Sequence, residues 1–229
     1  MILKLNKHFH KLKIGIVGAR SRCFANVLDK EKIKYNLIKV NQIDESYDLI
    51  FESGLYRIIP KTILKLPKLG VFGIHETPLP EGRGFAPLQW SILNKREHLV
   101  VTFYKLDEDV DNGMIVSQSY QPIDKTDTIN ILDEKRKKGI EEAFQIFIDE
   151  LKQGYIVLRN QTGKPSYSAR RTPESCELNI EKKLVDLWDE IRICDNEKYP
   201  AWFTINDKKI TIRYEINNFN RNKEKHENF

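Results

Sequence analysis

Cysteine is scarce in this chain, which holds only Cys23, Cys176 and Cys194. An odd number at such wide spacing fits neither a disulfide framework nor any zinc-ligand pattern, and so points to a reducing compartment. Long apolar runs are missing as well, for no stretch approaches the ~18 consecutive apolar residues of a membrane span. Residues Met1 to Lys13 alternate Lys and His with apolar residues and lack the apolar core and small-residue cleavage site of a secretory signal. A soluble, cytoplasmic protein without a membrane partner is therefore expected. Nor is there an excess of one charge. Lys plus Arg number 38 against 33 Asp plus Glu, and the formal +5 is spread along the chain. That balance slightly favours small anionic ligands, and nucleic acid is not an expected partner. No internal repeat is present.

The 229 residues, 40% of them hydrophobic, are enough to bury about 70% of the unfolded surface, which suffices for one sizeable domain and a small appendage. Lys13 to Gly18 (KIGIVG) reads as a buried parallel strand feeding a turn, and Ser21 to Lys30 as the helix after it, capped by Ser21. Tyr35 to Val40, Asp48 to Phe51 and Gly70 to Ile74 are the next strands. Between the last two, Pro60 opens a short helix and Pro67 stops it. Ala86 to Leu93 reads as a helix, His98 to Leu106 and Met114 to Tyr120 as strands, and Thr126 to Leu151 as a long helix ended by Gly154. Strands and helices alternating at this spacing predict an α/β fold, a Rossmann-like, doubly wound, mostly parallel sheet. Residues 1–159 form that domain, and 160–177 are a linker or a segment crossing it. Residues 178–217 form a small α+β C-terminal module, with a helix from Ile180 to Ile193 and a hairpin of Ala201 to Ile205 and Lys209 to Ile216 turning at Asn206-Asp207. The polar tail 218–229 frays.

The densest motif runs from Gly73 through His75, Glu76, Thr77, Leu79 and Pro80 to Gly82, Arg83, Gly84 and Pro87. A histidine at the carboxyl end of a buried strand, where the chain breaks into a Pro/Gly loop, sits where open α/β sheets place ligand sites. Imidazole titrates near neutral pH and can relay a proton to or from a carbonyl under attack. The plain alternative is a histidine that caps the strand end. Further on, Asp107, Glu108, Asp109, Asp111 and Gly113 crowd one loop. The EF-hand spacing is absent, so no metal site is read here. A turn that aims a carboxylate at the sheet edge occupied by His75 accounts for it better. Gly15-Ile16-Val17-Gly18 lacks the third glycine and the downstream acid of a dinucleotide loop, which argues against NAD.

Taken together, His75-x-Thr77-x-Leu79-Pro80 with Arg83-Gly84, the Ala86-Pro87-Leu88-Gln89-Trp90 helix, and Val110-Asp111-x-Gly113-x-Ile115 resemble the signature of folate-dependent formyltransferases. Residues Phe51 to Pro60 are similar to that family's folate-side strand and loop. These segments cover about a third of the chain, and several motifs in the right order are far more specific than any one alone. The resemblance implies N10-formyltetrahydrofolate as cofactor, held by Gly54, Leu55, Tyr56, Arg57, Ile58, Val110 and Asp111. It implies that a primary amine attacks the formyl carbon, giving a tetrahedral intermediate with a negative oxygen. His75 would polarise that oxygen or relay the proton, and Asp111 would orient His75 and help remove the proton through water. One departure stands out, because the family has Asn two residues before the histidine and this chain has Gly73. Three consequences are open: a backbone N–H or another side chain supplies the donor, the enzyme is slow, or catalysis has been lost.

Among acceptors, the loop around Gly82-Arg83-Gly84, the Arg170-Arg171-Thr172-Pro173 stretch and the segment Ile191 to Phe203 are similar to sugar N-formyltransferases. The resemblance implies a nucleotide-linked amino sugar, with dTDP as the expected nucleotide, for surface polysaccharide synthesis. Glu76, Thr77, Gly82, Arg83, Gly84, Arg170, Arg171, Arg192, Tyr199 and Trp202 are the candidate substrate contacts. The rival readings are a non-catalytic folate or nucleotide-sugar binder and an enzyme acting on methionyl-tRNA. The apolar faces of the C-terminal hairpin suit a homodimer contact.

Overall fold

The computed structural model describes residues 1–55 and 57–217. In chain order its elements are β1 (Ile2–Lys4), β2 (Ile14–Val17), α1 (Ser21–Lys30), β3 (Asn36–Leu37), β4 (Leu49–Glu52), α2 (Lys61–Leu64), β5 (Gly70–His75), β6 (Arg83–Gly84), α3 (Pro87–Leu93), β7 (His98–Lys105), β8 (Ile115–Pro122), α4 (Ile129–Lys152), β9 (Tyr155–Val157), β10 (Tyr167–Ser168), α5 (Leu184–Arg192), β11 (Ala201–Ile205) and β12 (Lys208–Ile212). The chain divides into two compact units, Met1–Arg171 and Thr172–Phe229.

In the first unit, the period-2 alternation of strand side chains sorts the core into two layers. Ile14, Ile16, Leu49, Phe51 and Phe72 face α1 and α4. Val17, Ile50 and Val71 face the other way, toward Ile59, Leu64 and Leu66. Both faces of the sheet are therefore covered, as a parallel sheet of near-continuous apolar strands requires. The strand order is β3-β2-β4-β5-β7-β8. The first four run parallel, and β7 and β8 join antiparallel. The expected α/β fold is thus present, with a mixed sheet. Six phenylalanines, Phe24, Phe51, Phe72, Phe103, Phe144 and Phe147, fill the helix-side layer, and the Phe144 ring centroid lies 4.6 Å from that of Phe24 and 4.7 Å from that of Phe51. Phe144 is fully buried, so Phe144→Ala is expected to cost about 3–5 kcal/mol of stability, read as a lower urea midpoint at unchanged slope.

Several boundaries differ from expectation for local reasons. The long helix begins at Ile129 because the Thr128 side chain accepts from the Ile131 N–H as its N-cap. Arg20, rather than Ser21, occupies the cap position of α1. Residues expected as a linker carry ladder bonds in part. Tyr167 and Ser168 pair in parallel with Arg83 and Gly84, so this stretch crosses over the loop that follows β5. No helix of the described residues is long and apolar enough to cross a membrane.

The second unit is a helix and a hairpin. Its helix starts at Leu184 instead of Ile180, because Asn179 Oδ1 accepts from the Glu181 N–H in a local turn that competes with helix. The hairpin turns at Asn206 and Asp207, both at positive φ, as a two-residue turn requires. Its second strand stops at Ile212, because the Asn196 side chain takes over Tyr214, donating to its carbonyl at 2.6 Å and accepting from its N–H at 3.2 Å. The tail 218–229 lies outside the described residues.

Candidate active site

Strands β4 and β5 end side by side, with Glu52 in register with Gly73 and His75 two residues further on. Beyond those ends lies a cavity of about 1110 Å³, the crevice where an open parallel sheet binds ligands. The crossing segment and the Asp107–Gly113 turn complete its walls.

His75 is 5% exposed. Its Nε2 lies 2.9 Å from the Gly82 carbonyl. A carbonyl only accepts, so Nε2 carries the proton and donates, leaving Nδ1 as the nitrogen that exchanges one. Asp111 Oδ2 stands 3.6 Å from Nδ1. Asp111 itself is held on both oxygens. Oδ1 accepts from the Tyr104 hydroxyl at 2.9 Å, and Oδ2 from the Gly84 N–H at 2.9 Å. Burial and the neighbouring Asp111 charge push the Tyr104 phenol well above its ordinary range, so it remains a donor.

The turn that presents Asp111 is tightly specified. Asp111 itself sits at φ 54°, a left-handed conformation that aspartate tolerates better than most residues. A Cβ on Gly113 would lie 1.7 Å from the Lys105 carbonyl oxygen, so only glycine lets the two backbones approach this closely. Gln161 then clamps the turn, its side-chain amide donating to the carbonyls of Asp111 at 2.9 Å and Gly113 at 2.8 Å.

Of the expected cofactor contacts, Gly54, Leu55, Arg57, Ile58, Val110 and Asp111 all line the cavity, while Tyr56 lies outside the described residues. Of the expected substrate contacts, Glu76, Arg83, Gly84, Arg170 and Arg171 line it too. Arg83 is nevertheless buried, and its guanidinium donates to Gln161 Oε1 at 2.6 Å, which ties the loop to the crossing segment. Thr77 and Gly82 are not among the lining residues. The Thr77 carbonyl accepts from Thr102 at 2.6 Å, and the Gly82 N–H donates to Ser166 Oγ at 2.9 Å, so both serve the shape of the loop. Arg192, Tyr199 and Trp202 belong to the second unit. Within it, Arg192 is buried against Asp189 at 2.7 Å, Tyr199 is exposed, and the Trp202 indole donates to the Pro173 carbonyl beneath the Lys209 ammonium.

Sequence reasoning missed Glu52, Tyr104 and Gln161. Glu52 accepts the Leu55 N–H at 2.8 Å and lines the cavity. Burial, the dominant cause, pushes its carboxyl up to about 7; the Glu76 and Asp111 charges add to the rise, and the Leu55 N–H and Arg20 oppose it. A carboxyl on the last residue of a strand that is otherwise wholly apolar was the available signal.

The sequence profile described as formyl transferase matches residues 25–149. The methionyl-tRNA formyltransferase of Thermodesulfovibrio yellowstonii is 27% identical over 196 residues, covering 83% of this chain and 62% of that protein. The chain therefore spans less than two thirds of that relative's length. Among solved structures, a sugar N-formyltransferase from Shewanella has a TM-score of 0.71 at 19% identity, covering 91% of this chain and 99% of that one. HypX from Aquifex aeolicus, in complex with tetrahydrofolic acid, has a TM-score of 0.73 at 17% identity, covering 90% of this chain and 37% of that one. The profile match extends over more than half of the sequence and takes in both His75 and Asp111, so the chain belongs to the formyl transferase family.

Proposed function

We propose that the protein transfers a formyl group from N10-formyltetrahydrofolate to the primary amine of a nucleotide-linked amino sugar. The observation that carries the reading is the pairing of His75 Nδ1 with Asp111 Oδ2 at 3.6 Å in a cavity large enough for two ligands. The lining suits the folate chemically. Leu55, Ile59, Leu64 and Leu106 offer apolar faces to a flat heterocycle, and Arg20 and Arg57 can meet its carboxylates. Ile58, Phe85 and Val110 line the same cavity yet are more than half exposed, the condition of an apolar rim that a ligand covers.

When bound, the folate supplies the formyl carbon: a bond forms from it to the acceptor nitrogen, its bond to N10 breaks, the amine loses one proton and N10 gains one. The protein's residues handle those protons. Nε2 of His75 stays committed to Gly82, so Nδ1 and Asp111 Oδ2 share the proton that comes off the amine. Tyr104 and the Gly84 N–H keep the carboxylate aimed at Nδ1. The loop and crossing segment keep bulk water from the pair, whose members are 5% and 8% exposed.

The sugar acceptor is supported by the cationic wall and by the Shewanella sugar enzyme, which is similar over almost its whole length. Arg170 and Arg171 stand over the Phe85 and Trp90 rings, 6.0 and 5.9 Å from their centroids, where a diphosphate and a base would find charge and a flat surface. A second reading, methionyl-tRNA as acceptor, is favoured by the names of the sequence relatives. The two are separated by incubating the protein and N10-formyltetrahydrofolate with a panel of nucleotide-linked amino sugars or with methionyl-tRNA. Formylated sugar, with methionyl-tRNA unchanged, is the expected mass-spectrometric result. Formylated methionyl-tRNA with inert sugars, accompanied by steeply salt-dependent RNA binding, would replace the acceptor.

A further inference from the structure

Glu52 is an ionisable group of the cavity that the reading above leaves unused. Glu52 closes β4 opposite Gly73, and the absence of a side chain at 73 is what makes room for it. A Cβ built on Gly73 would stand 3.0 Å from Glu52 Oε2 and 2.6 Å from the Leu106 side chain. One carboxyl oxygen, Oε1, is occupied by the Leu55 N–H at 2.8 Å. The other, Oε2, lies over Gly73 with no hydrogen-bond partner among the described residues, and Glu52 lines the cavity beside His75, Tyr104 and Asp111.

Formyl transfer places negative charge on the formyl oxygen as the amine adds, and a pre-positioned donor at that oxygen is the largest single contribution such a site can make. The donors that surround the His75–Asp111 pair are already engaged. His75 Nε2 is committed to Gly82, the Tyr104 hydroxyl to Asp111 Oδ1, and the Gly84 N–H to Asp111 Oδ2. A glycine at 73 brings no amide. We propose that Glu52, as its neutral acid, donates the hydrogen bond from Oε2 to the formyl oxygen, taking the place that Gly73 leaves empty. This rests on the formyl-transfer reading of the same cavity.

The environment supports it. Glu76, Asp111 and Tyr104 face Glu52 together with the Arg20 cation, and burial leads the effects that raise its carboxyl to about 7. The acid is therefore protonated below neutrality and ionises above it, so the donor is present at low pH and disappears as the pH rises through about 7.

The test compares wild type, Glu52→Ala and Glu52→Gln across pH. Glu52→Ala is expected to lose ~10²–10³ in kcat with the acceptor KM within a few-fold, the usual effect of removing one oxyanion donor. Glutamine carries a permanent N–H donor of the same shape. It should recover at least about ten-fold of that loss and abolish the alkaline decline of kcat centred near 7. Independently of turnover, ¹³C-glutamate NMR of the ligand-free protein should show a carboxyl titrating near neutrality that Glu52→Gln removes. An active wild type with Glu52→Gln as slow as Glu52→Ala overturns the proposal alone, because the carboxylate would then be needed as a base. Glu52 titrating near 4 overturns it as well. A wild type inert toward every amine removes the formyl-transfer reading and this proposal together.

Discussion

His75→Ala is expected to lower formyl-transfer turnover by about 10²–10⁴, the range of a positioned acid–base group, with the folate dissociation constant within a few-fold of wild type. The imidazole is the group in the cavity with a nitrogen left free to exchange a proton beside a carboxylate, since Nε2 is committed to Gly82 and Nδ1 faces Asp111 at 3.6 Å. The same substitution also releases one anchor of the loop after β5. His75→Gln, whose side-chain amide nitrogen reaches about the position of Nε2 and can still donate to the Gly82 carbonyl, separates the two effects: it should restore loop stability and leave the rate low. Stopped-flow kinetics for the rate and a thermal melt for the fold would read them apart.

The second large effect is expected at Asp111. Asp111→Asn keeps a side chain that accepts hydrogen bonds and tolerates the left-handed backbone at φ 54°, so the turn should survive. The asparagine oxygen can keep the Gly84 N–H while the amide nitrogen donates to the Tyr104 oxygen, so the main loss is one of charge. A neutral amide beside Nδ1 no longer stabilises the imidazolium that forms when His75 takes the amine proton, and kcat should fall by about 10²–10³ with KM changed little. Asp111→Ala would be a worse probe, because a residue without that local tolerance strains the turn and leaves the buried Tyr104 hydroxyl unpaired.

How much of this was legible in the sequence follows from the range of each interaction. Local signals carried the strands at Ile14–Val17, Leu49–Glu52 and Gly70–His75, the long helix and the hairpin turn at Asn206-Asp207, because periodicity and turn chemistry act over a few residues. The place of His75 was equally readable, since a polar residue that ends an apolar strand before a Pro/Gly loop has few other uses. Glu52 was readable only as a polar end to an apolar strand, and its role was not. Its importance comes from register, which sets it against a glycine 21 positions later, and no pattern within β4 announces that neighbour. Gln161 and the Tyr167–Ser168 strand were hidden for the same reason. They meet Asp111 and Arg83 across 50 and 84 residues, through a two-residue ladder too short to show any alternation. The fold class depended on periodicity, whereas completing the site depended on tertiary approach.

The claim on which the account depends is that the imidazole and the carboxylate work as one unit on the proton of the incoming amine. Single-turnover formyl transfer in wild type, His75→Ala, Asp111→Asn and the double variant tests it most directly. Residues acting together are strongly non-additive, so the double variant should fall within a few-fold of the slower single. Losses that multiply, or a wild-type rate in either single variant, would contradict it.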